Sequence, residues 1–235
     1  MTIARRRAHG GGAGVVGSGA KVWLKADAIT PVSDGTALSS WPDSSSSGNN
    51  AVQATGADQP LYKTAVQNGL PIVRFNGTTD LMTGADPVLG TTGFTLTLVI
   101  QATAAESYPC IVCFPASLHE LRLEAGTGKL DMLNGGSVCE ASTSFVGTGF
   151  HVVSGVQNHS GSTYVYVDGV QVATAAAGGY NSGAYALGSR TGGADPFQGD
   201  IAEMLIYAGP TSFTAGSQLW IDWTYLQAKW ATPAL

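Results

Sequence analysis

The chain of 235 residues is 44% hydrophobic and only 11% charged, and its formal net charge is −5. This length suits one large domain, and the composition is too rich in aromatic and β-branched residues for a disordered chain. The acidic balance argues against nucleic-acid binding, and the lack of any run of about 18 apolar residues argues against a membrane span.

Residues 1–20 form a glycine-rich arm that contains Arg5, Arg6 and Arg7 and no acidic residue. Glycine loses much backbone entropy on ordering, so we expect this arm to take a fixed shape only against a larger body. Arginine forms bidentate pairs with carboxylates, which favours an anchor on an acidic partner surface over a solvated tail. The arm is too glycine-rich for the apolar core of a secretory signal, so we expect synthesis and initial retention in a cytoplasm.

The domain over residues 21–235 is predicted to consist of short strands separated by turns. The strongest strand covers residues 94–100, where hydrophobic residues alternate with threonine. A hairpin is predicted over residues 163–173 on the turn Asp168-Gly169, because this dipeptide tolerates positive φ. The other predicted strands cover residues 22–26, 73–75, 111–114, 121–123, 151–156, 184–188 and 201–207.

The chain ends in a predicted amphipathic helix. Hydrophobic residues recur there at steps of four, three and four, which places them on one helical stripe: Leu219, Trp223, Leu226 and Trp230. Ser212 or Thr214 is predicted to cap the start of this helix, and Pro233 prevents its continuation. Two tryptophans on the stripe predict a helix that packs on the sandwich.

Four groups of residues follow one another in a specific order. They are VWLKAD with WPD at residues 22–27 and 41–43, QP with GLPIVRFNG at 59–60 and 69–77, YVDGV at 166–170, and GDIAEMLIY with YLQAKW at 199–207 and 225–230. In this order they resemble the laminin-G-like domains of the concanavalin A-like jelly-roll superfamily. The resemblance covers residues 21–231. It implies an all-β fold, a two-sheet antiparallel jelly-roll sandwich with one C-terminal amphipathic helix.

Such a fold hosts lectins, hydrolases, adhesion modules and virion proteins, so the residues must decide the function. Glycoside hydrolysis needs two carboxylates that face each other across the sugar. The nearest match to the strand motifs of hydrolases with this fold is Glu120-Leu-Arg-Leu-Glu124. Arg122 would lower both carboxyl pKa values, whereas a general acid needs a raised pKa. We therefore predict surface charge pairing for this trio and no catalytic residue.

One group of cysteine and histidine residues has the composition of a zinc site. Cys110, Cys113, His119 and Cys139 could form a zinc site, but residues i and i+3 of a strand point to opposite faces. Three free, buried cysteines are predicted instead, because an odd number gives no disulfide framework.

Calcium stays a candidate cofactor, since the resemblance implies one ion held by loop carboxylates and carbonyls in many relatives. The aspartates in predicted turns are Asp43, Asp80, Asp168, Asp195 and Asp200. Two of them, Asp43 and Asp168, are explained by the turns themselves, and no dense acidic loop stands out. The prediction is that no cofactor or metal is required.

Sugar binding would use an exposed aromatic ring beside amide and charged groups in a loop. Tyr180, Asn181 and Arg190 are the predicted ligand-binding residues, and the stretch over residues 178–183 is the predicted contact surface. Trp41 also qualifies by residue type, but it matches a family position that is more often packed than exposed.

These observations favour a non-enzymatic structural protein of a virus particle, in particular a bacteriophage capsid-decoration or tail-associated protein. Arg5, Arg6 and Arg7 would anchor it to a capsid or tail, within which the chain would form a homo-oligomer, and a surface glycan is a further expected ligand. The expected location is the virion, after synthesis in the host cytoplasm. Two alternatives stay open: a free carbohydrate-binding, lectin-like module and a glycoside hydrolase.

Overall fold

The computed structural model describes residues 14–114, 119–135, 137–176, 178–179 and 183–233. Its strands are Val22–Lys25 (β1), Ser40–Trp41 (β2), Ala51–Val52 (β3), Leu61–Gln67 (β4), Leu70–Asn76 (β5), Met82–Gly84 (β6), Gly93–Ala102 (β7), Cys110–Phe114 (β8), His119–Leu123 (β9), Lys129–Asn134 (β10), Ser137–Ser144 (β11), His151–Asn158 (β12), Ser162–Val167 (β13), Val170–Ala176 (β14), Tyr185–Leu187 (β15) and Gln198–Ala208 (β16). The α-helix is Gln218–Trp230 (α1), and short 3-10 turns lie at Ala26–Ala28 and Gly56–Asp58.

The strands form two antiparallel sheets. The first sheet has the order β14-β13-β12-β7-β16-β5-β4, and β1 also pairs with β16. The second sheet has the order β11-β10-β9-β8-β15-β6-β3-β2. The predicted two-sheet antiparallel sandwich with one C-terminal helix is therefore confirmed.

The core lies between the sheets, and β7 shows how the sequence selects it. Its inward side chains belong to the core cluster and are fully buried: Phe94, Leu96, Leu98, Ile100 and Ala102. The alternate residues of β7, from Thr95 to Gln101, point to the outer face of the first sheet, as period-two alternation requires. The strand predicted over residues 94–100 is thus confirmed.

Helix α1 covers the middle of this outer face. The predicted stripe of Leu219, Trp223, Leu226 and Trp230 is buried, and it packs with Val99 and Leu205 of the sheet. Each buried tryptophan or leucine contributes roughly 1.5–3 kcal/mol to folding. The helix is therefore an integral part of the sandwich.

The helix begins later than predicted. Its N-cap is Ser217, whose Oγ accepts a 3.2 Å hydrogen bond from the backbone N–H of Trp220. The expected cap Thr214 instead donates its own N–H to Ser217 Oγ, so the predictions of Ser212 or Thr214 were wrong. Ala231 closes the helix in the left-handed conformation at φ 49°, two residues before Pro233.

Two buried carboxylates join α1 to the first sheet. Glu203 on β16 accepts hydrogen bonds from Trp230 Nε1 at 2.9 Å and Lys229 Nζ at 2.7 Å. Asp222 on the helix accepts a 2.6 Å hydrogen bond from the hydroxyl of Tyr207 on β16. Burial raises the pKa of Asp222, and the hydrogen bond from Tyr207 opposes this rise. The helix is held by directional contacts as well as by its apolar stripe.

Part of the predicted arm packs on the same helix. The N–H of Gly17 donates to Asp222 Oδ1 at 2.9 Å, and Ala20 is buried. A Cβ on Gly17 would lie 2.5 Å from the ring of Trp23, so the close contact between the backbone of residue 17 and this ring requires glycine. Within the predicted arm, residues 14–20 therefore contact the body of their own chain. Arg5, Arg6 and Arg7 lie outside the described residues.

Some strands were not predicted. The strands β4, β10 and β11 interrupt their hydrophobic residues with lysine, aspartate, serine or threonine, which hides the period of two. The predicted hairpin is confirmed, with Asp168 and Gly169 at φ 49° and 82° between β13 and β14. Among the described residues, no helix has the length and apolar character needed to cross a membrane.

Candidate functional site

An open groove lies on the outer face of the first sheet, where α1 leaves β13, β14 and the end of β12 uncovered. It encloses about 450 Å³. Its lining consists of Val156, Asn158, Tyr164, Tyr166, Gln171, Pro210, Thr211, Ser212, Phe213 and Thr214. We call this the aromatic groove, because three of these residues contribute rings.

Two rings come from β13. Val165 is fully buried in the core, so the period of two sends Tyr164 and Tyr166 to the outer face. Their ring centroids are 6.4 Å apart, and both residues are half-buried. An outward pair of tyrosines at this position gives the edge of the sheet an aromatic surface.

Phe213 adds the third ring from the loop between β16 and α1. It stacks on Tyr166 with the centroids 5.2 Å apart and the planes inclined by 22°. On its other side Phe213 meets Trp223 of α1 edge-on, with the centroids 5.7 Å apart. The loop is fixed by Thr95, whose Oγ1 accepts from the N–H of Thr211 at 2.8 Å. These contacts fix Phe213 between Tyr166 and α1.

The groove is electrically neutral. Among the described residues that line it, none carries a charged side chain. Burial raises the pKa of Tyr166, so its hydroxyl keeps its proton at neutral pH. Gln171 Oε1 accepts a long 3.5 Å hydrogen bond from that hydroxyl, and Ser212 and Thr214 are exposed on the opposite wall. Aromatic faces beside neutral donors and acceptors suit a ligand that has both C–H faces and hydroxyl groups.

The residues predicted to bind a ligand lie elsewhere. Tyr180 and Asn181 are outside the described residues, and their role stays a prediction. Arg190 donates to Glu120 from Nε and Nη2 at 2.6 and 2.8 Å, and its Nη1 lies 2.5 Å from Asp195. Two carboxylates thus hold the guanidinium on the second sheet, away from the aromatic groove. A ligand contact by Arg190 also stays a prediction.

Sequence reasoning missed Tyr164, Tyr166 and Phe213. The alternation Tyr-Val-Tyr-Val over residues 164–167 did carry a signal, because it puts two rings on the face opposite two valines. Nothing local indicated that Phe213 would stack on Tyr166, since that contact depends on the packing of α1.

The carboxylates considered for hydrolysis form ion pairs. Of the two acids in that trio, Glu120 is 3% exposed and lies 3.6 Å from Arg122, whereas Glu124 is half-buried and lies 3.9 Å from Lys129. Arg122 also lies 3.6 Å from the buried Asp131 on the neighbouring strand. Burial raises the pKa of Asp131 to about 6, against the opposing charge of Arg122. Surface charge pairing was predicted for the trio, and the burial of Glu120 corrects that prediction. A carboxylate as deeply buried as that of Glu120 cannot flank a glycosidic bond without rearrangement.

The cysteine prediction needs a correction. A disulfide joins Cys110 and Cys113, and Cys139 is free and buried. The strand argument failed because the register shifts between Cys110 and Val112, and such a bulge turns both cysteines to the outer face of the second sheet. Cys139 packs instead in the core between the sheets. Among the described residues, no group of three or more His, Cys, Asp or Glu could hold a metal ion.

The five aspartates considered as calcium ligands form hydrogen bonds or ion pairs with neighbouring groups. Asp43 accepts from the N–H groups of Trp23, Ser45 and Asn49, and so closes its turn. The remaining four contact neighbouring groups: Asp80 with the N–H of Asn76, Asp168 with His151, Asp195 with Arg190, and Asp200 with Arg74. These contacts place each carboxylate in a local turn or ion pair.

Comparison with known proteins supports the fold. A family model described as the concanavalin A-like lectin/glucanases superfamily matches residues 75–213. No curated protein matches the chain by sequence.

Several solved structures share the architecture. The binding domain of Paraclostridial Mosquitocidal Protein 1 superposes with a TM-score of 0.63 at 12% identity, over 92% of this chain and 56% of that one. Trypanosoma rangeli sialidase in complex with sialic acid gives 0.57 at 14%, over 92% and 34%. A structure of botulinum neurotoxin type C, whose cell entry depends on interaction with two ganglioside molecules, gives 0.54 at 15%, over 90% and 52%. This chain thus spans between a third and somewhat more than half of each, and at these identities the likeness shows the fold alone.

Proposed function

Because the chain belongs to the concanavalin A-like lectin/glucanases superfamily, we propose that it is a non-enzymatic domain that binds a glycan in the aromatic groove. The observation that carries the proposal is the stacked pair of Tyr166 and Phe213 rings on an open groove. Aromatic rings pack against the C–H faces of sugars, and the amides and hydroxyls around them match sugar hydroxyl groups.

The comparisons support this class of ligand without identifying it. Two of the structures with this fold are described with sialic acid or gangliosides. Those ligands are properties of those proteins, and sialic acid is an anion. The aromatic groove offers no cationic side chain among its described lining residues, so its proposed ligand is a neutral glycan.

The proposal is tested with a glycan array and calorimetry on two tyrosine variants. Tyr164→Ala removes a ring that lines the groove, and Tyr108→Ala removes a 43% exposed ring that lies over Arg122 on the second sheet. We expect the strongest neutral hit to bind the Tyr164→Ala variant about tenfold more weakly, a loss of ~1.4 kcal/mol, and the Tyr108→Ala variant unchanged. An array without a neutral hit, or equal affinities for the two variants, would contradict the proposal.

The predicted virion role is a separate proposal. Arg5, Arg6 and Arg7 would pair with the acidic surface of a neighbouring subunit. Residues 14–20 are already packed on α1 of the same chain. We propose that attachment to a phage capsid or tail uses only residues 1–13. Deletion of residues 2–13 should leave the domain folded and abolish cosedimentation with purified particles. Undiminished cosedimentation of the shortened chain would overturn this assignment, and glycan binding would be unaffected in either case.

A further inference from the structure

A second groove lies at the opposite end of the same sheet face. It encloses about 630 Å³ where β5, β7 and β16 extend beyond α1. Its lining includes the polar residues Gln59, Arg74, Asn76, Asp80, Gln101, Gln198 and Asp200. We call this the polar groove, because its described lining brings charged and amide side chains together.

Three of these side chains form a row across adjacent strands. Asp200 on β16 is in register with Arg74 on β5 and with Gln101 on β7. All three alternate with core residues and therefore point outward. The row is thus built into the sheet, and it does not depend on a loop conformation.

The guanidinium of Arg74 is held in a fixed orientation. Its Nε and Nη2 donate to the two carboxylate oxygens of Asp200 at 2.7 and 2.8 Å. Asp200 is 3% exposed in its side chain, whereas Arg74 is 46% exposed. A bidentate pair through Nε and Nη2 directs Nη1 away from Asp200. The Nη1 amino group is therefore the part of the guanidinium that this ion pair does not use.

The charges of the polar groove disfavour an anion. Asp200 neutralises Arg74, and Asp34 also acts on Arg74 electrostatically. Asp80 contributes a further carboxyl group to the lining. These carboxylates would repel an anionic ligand. A neutral molecule with hydroxyl groups can accept a hydrogen bond from Arg74 and donate one to an amide oxygen.

We propose that the polar groove is a second saccharide site, which binds neighbouring hydroxyl groups of a neutral sugar. Arg74 Nη1 donates to one hydroxyl oxygen, and the side-chain amide of Gln101 accepts from the next hydroxyl. Asp200 is a positioning residue, because it acts through Arg74. The ligand class rests on the proposed function, but the site shares no lining residue with the aromatic groove.

The test is an NMR titration of the ¹⁵N-labelled full chain with lactose, maltose and cellobiose, and with 3′-sialyllactose as the anionic counterpart. At least one neutral disaccharide should shift the side-chain amide signals of Gln101 and Gln198. Gln101→Ala should weaken the binding reported by Gln198 at least fivefold. Tyr164→Ala, in the aromatic groove, should leave that binding unchanged.

Three outcomes would overturn the second site. They are no shift at Gln101 or Gln198 with any of the neutral sugars, an effect of sialyllactose alone, and an unchanged affinity in the Gln101→Ala variant. Shifts at Gln198 with none around Tyr164 would reject the aromatic groove and keep the polar one. The reverse pattern would reject this inference and keep the proposed function, so the two failures are distinguishable.

Discussion

Trp230 Nε1 donates a 2.9 Å hydrogen bond to the carboxylate of Glu203, which is 0% exposed in the outer face of the first sheet. The same carboxylate accepts from Trp23 Nε1 at 2.7 Å and from Lys229 Nζ at 2.7 Å. One side chain thus ties β1, β16 and the end of α1 together. Because α1 separates the two grooves on this face, its anchoring also shapes both of them.

Glu203→Gln tests this anchor. The amide removes one charged partner of Lys229, which is only 14% exposed and keeps its 2.9 Å contact with Asp27, so we expect a loss of about 2 kcal/mol in the free energy of unfolding. Urea unfolding followed by tryptophan fluorescence measures it.

The matched control is Asp34→Asn, which breaks an exposed 2.7 Å contact with Lys63 and should leave the unfolding midpoint nearly unchanged. Equal midpoints for the two variants would show that the carboxylate of Glu203 is not the anchor.

The sequence predicted those features that depend on strong local periodicity. The alternation over residues 94–100 and the helical stripe from Leu219 to Trp230 are both confirmed, because the side chains on one face of each element pack together in one hydrophobic cluster. The Asp168-Gly169 turn was also predictable from the sequence, since positive φ at both positions suits these two residues.

The candidate sites were harder to predict from the sequence, because they depend on contacts between residues that are far apart in the chain. Arg190 pairs with Glu120 across 70 residues, and no local pattern indicates that pairing. The stacking of Phe213 on Tyr166 likewise requires the loop before α1 to return to β13. The bulge between Cys110 and Val112 reversed an argument from strand alternation, since alternation assumes a regular register.

Gly17→Ala should loosen the segment of residues 14–20. The new Cβ would lie 2.5 Å from the ring of Trp23, and the residue has φ +70°. Gly19→Ala is the matched control, because Gly19 has φ +78° but nothing within 4 Å of its Cβ position. Both variants carry the left-handed strain of ~1–2 kcal/mol, and Gly17→Ala should lose roughly 1–3 kcal/mol more. Unfolding free energies and hydrogen exchange at residue 17 measure the difference. Identical results for both variants would refute a packing role for Gly17.

The pair of His151 and Asp168 should make stability depend on pH above about 6.5. His151 Nδ1 lies 2.5 Å from Asp168 Oδ2, and this hydrogen bond raises the pKa of His151 above its ordinary 6.5. The folded state therefore binds the proton more tightly than the unfolded state. The stabilisation is complete below pH 6.5 and is lost as the pH rises through the folded pKa. His151→Gln should remove this decline in urea titrations between about pH 6 and 9. A decline that persists in the variant would assign it to another group.

Asp131 should also make the free energy of unfolding fall with rising pH, but over a more acidic pH range than His151. Burial raises its pKa from 3.8 to about 6, so the folded state holds a proton that the unfolded state has released. Its contribution to the free energy of unfolding is largest below pH 3.8 and falls as the pH rises towards 6. Asp131→Asn cannot titrate, and the difference between wild type and variant should therefore shrink by ~2–3 kcal/mol across this window. Asp80, whose pKa burial also raises to about 6, contributes equally to both proteins and cancels in the difference. A difference that stays constant from pH 4 to pH 6 would mean that Arg122 keeps Asp131 ionised throughout, and that the ion pair outweighs the cost of burial.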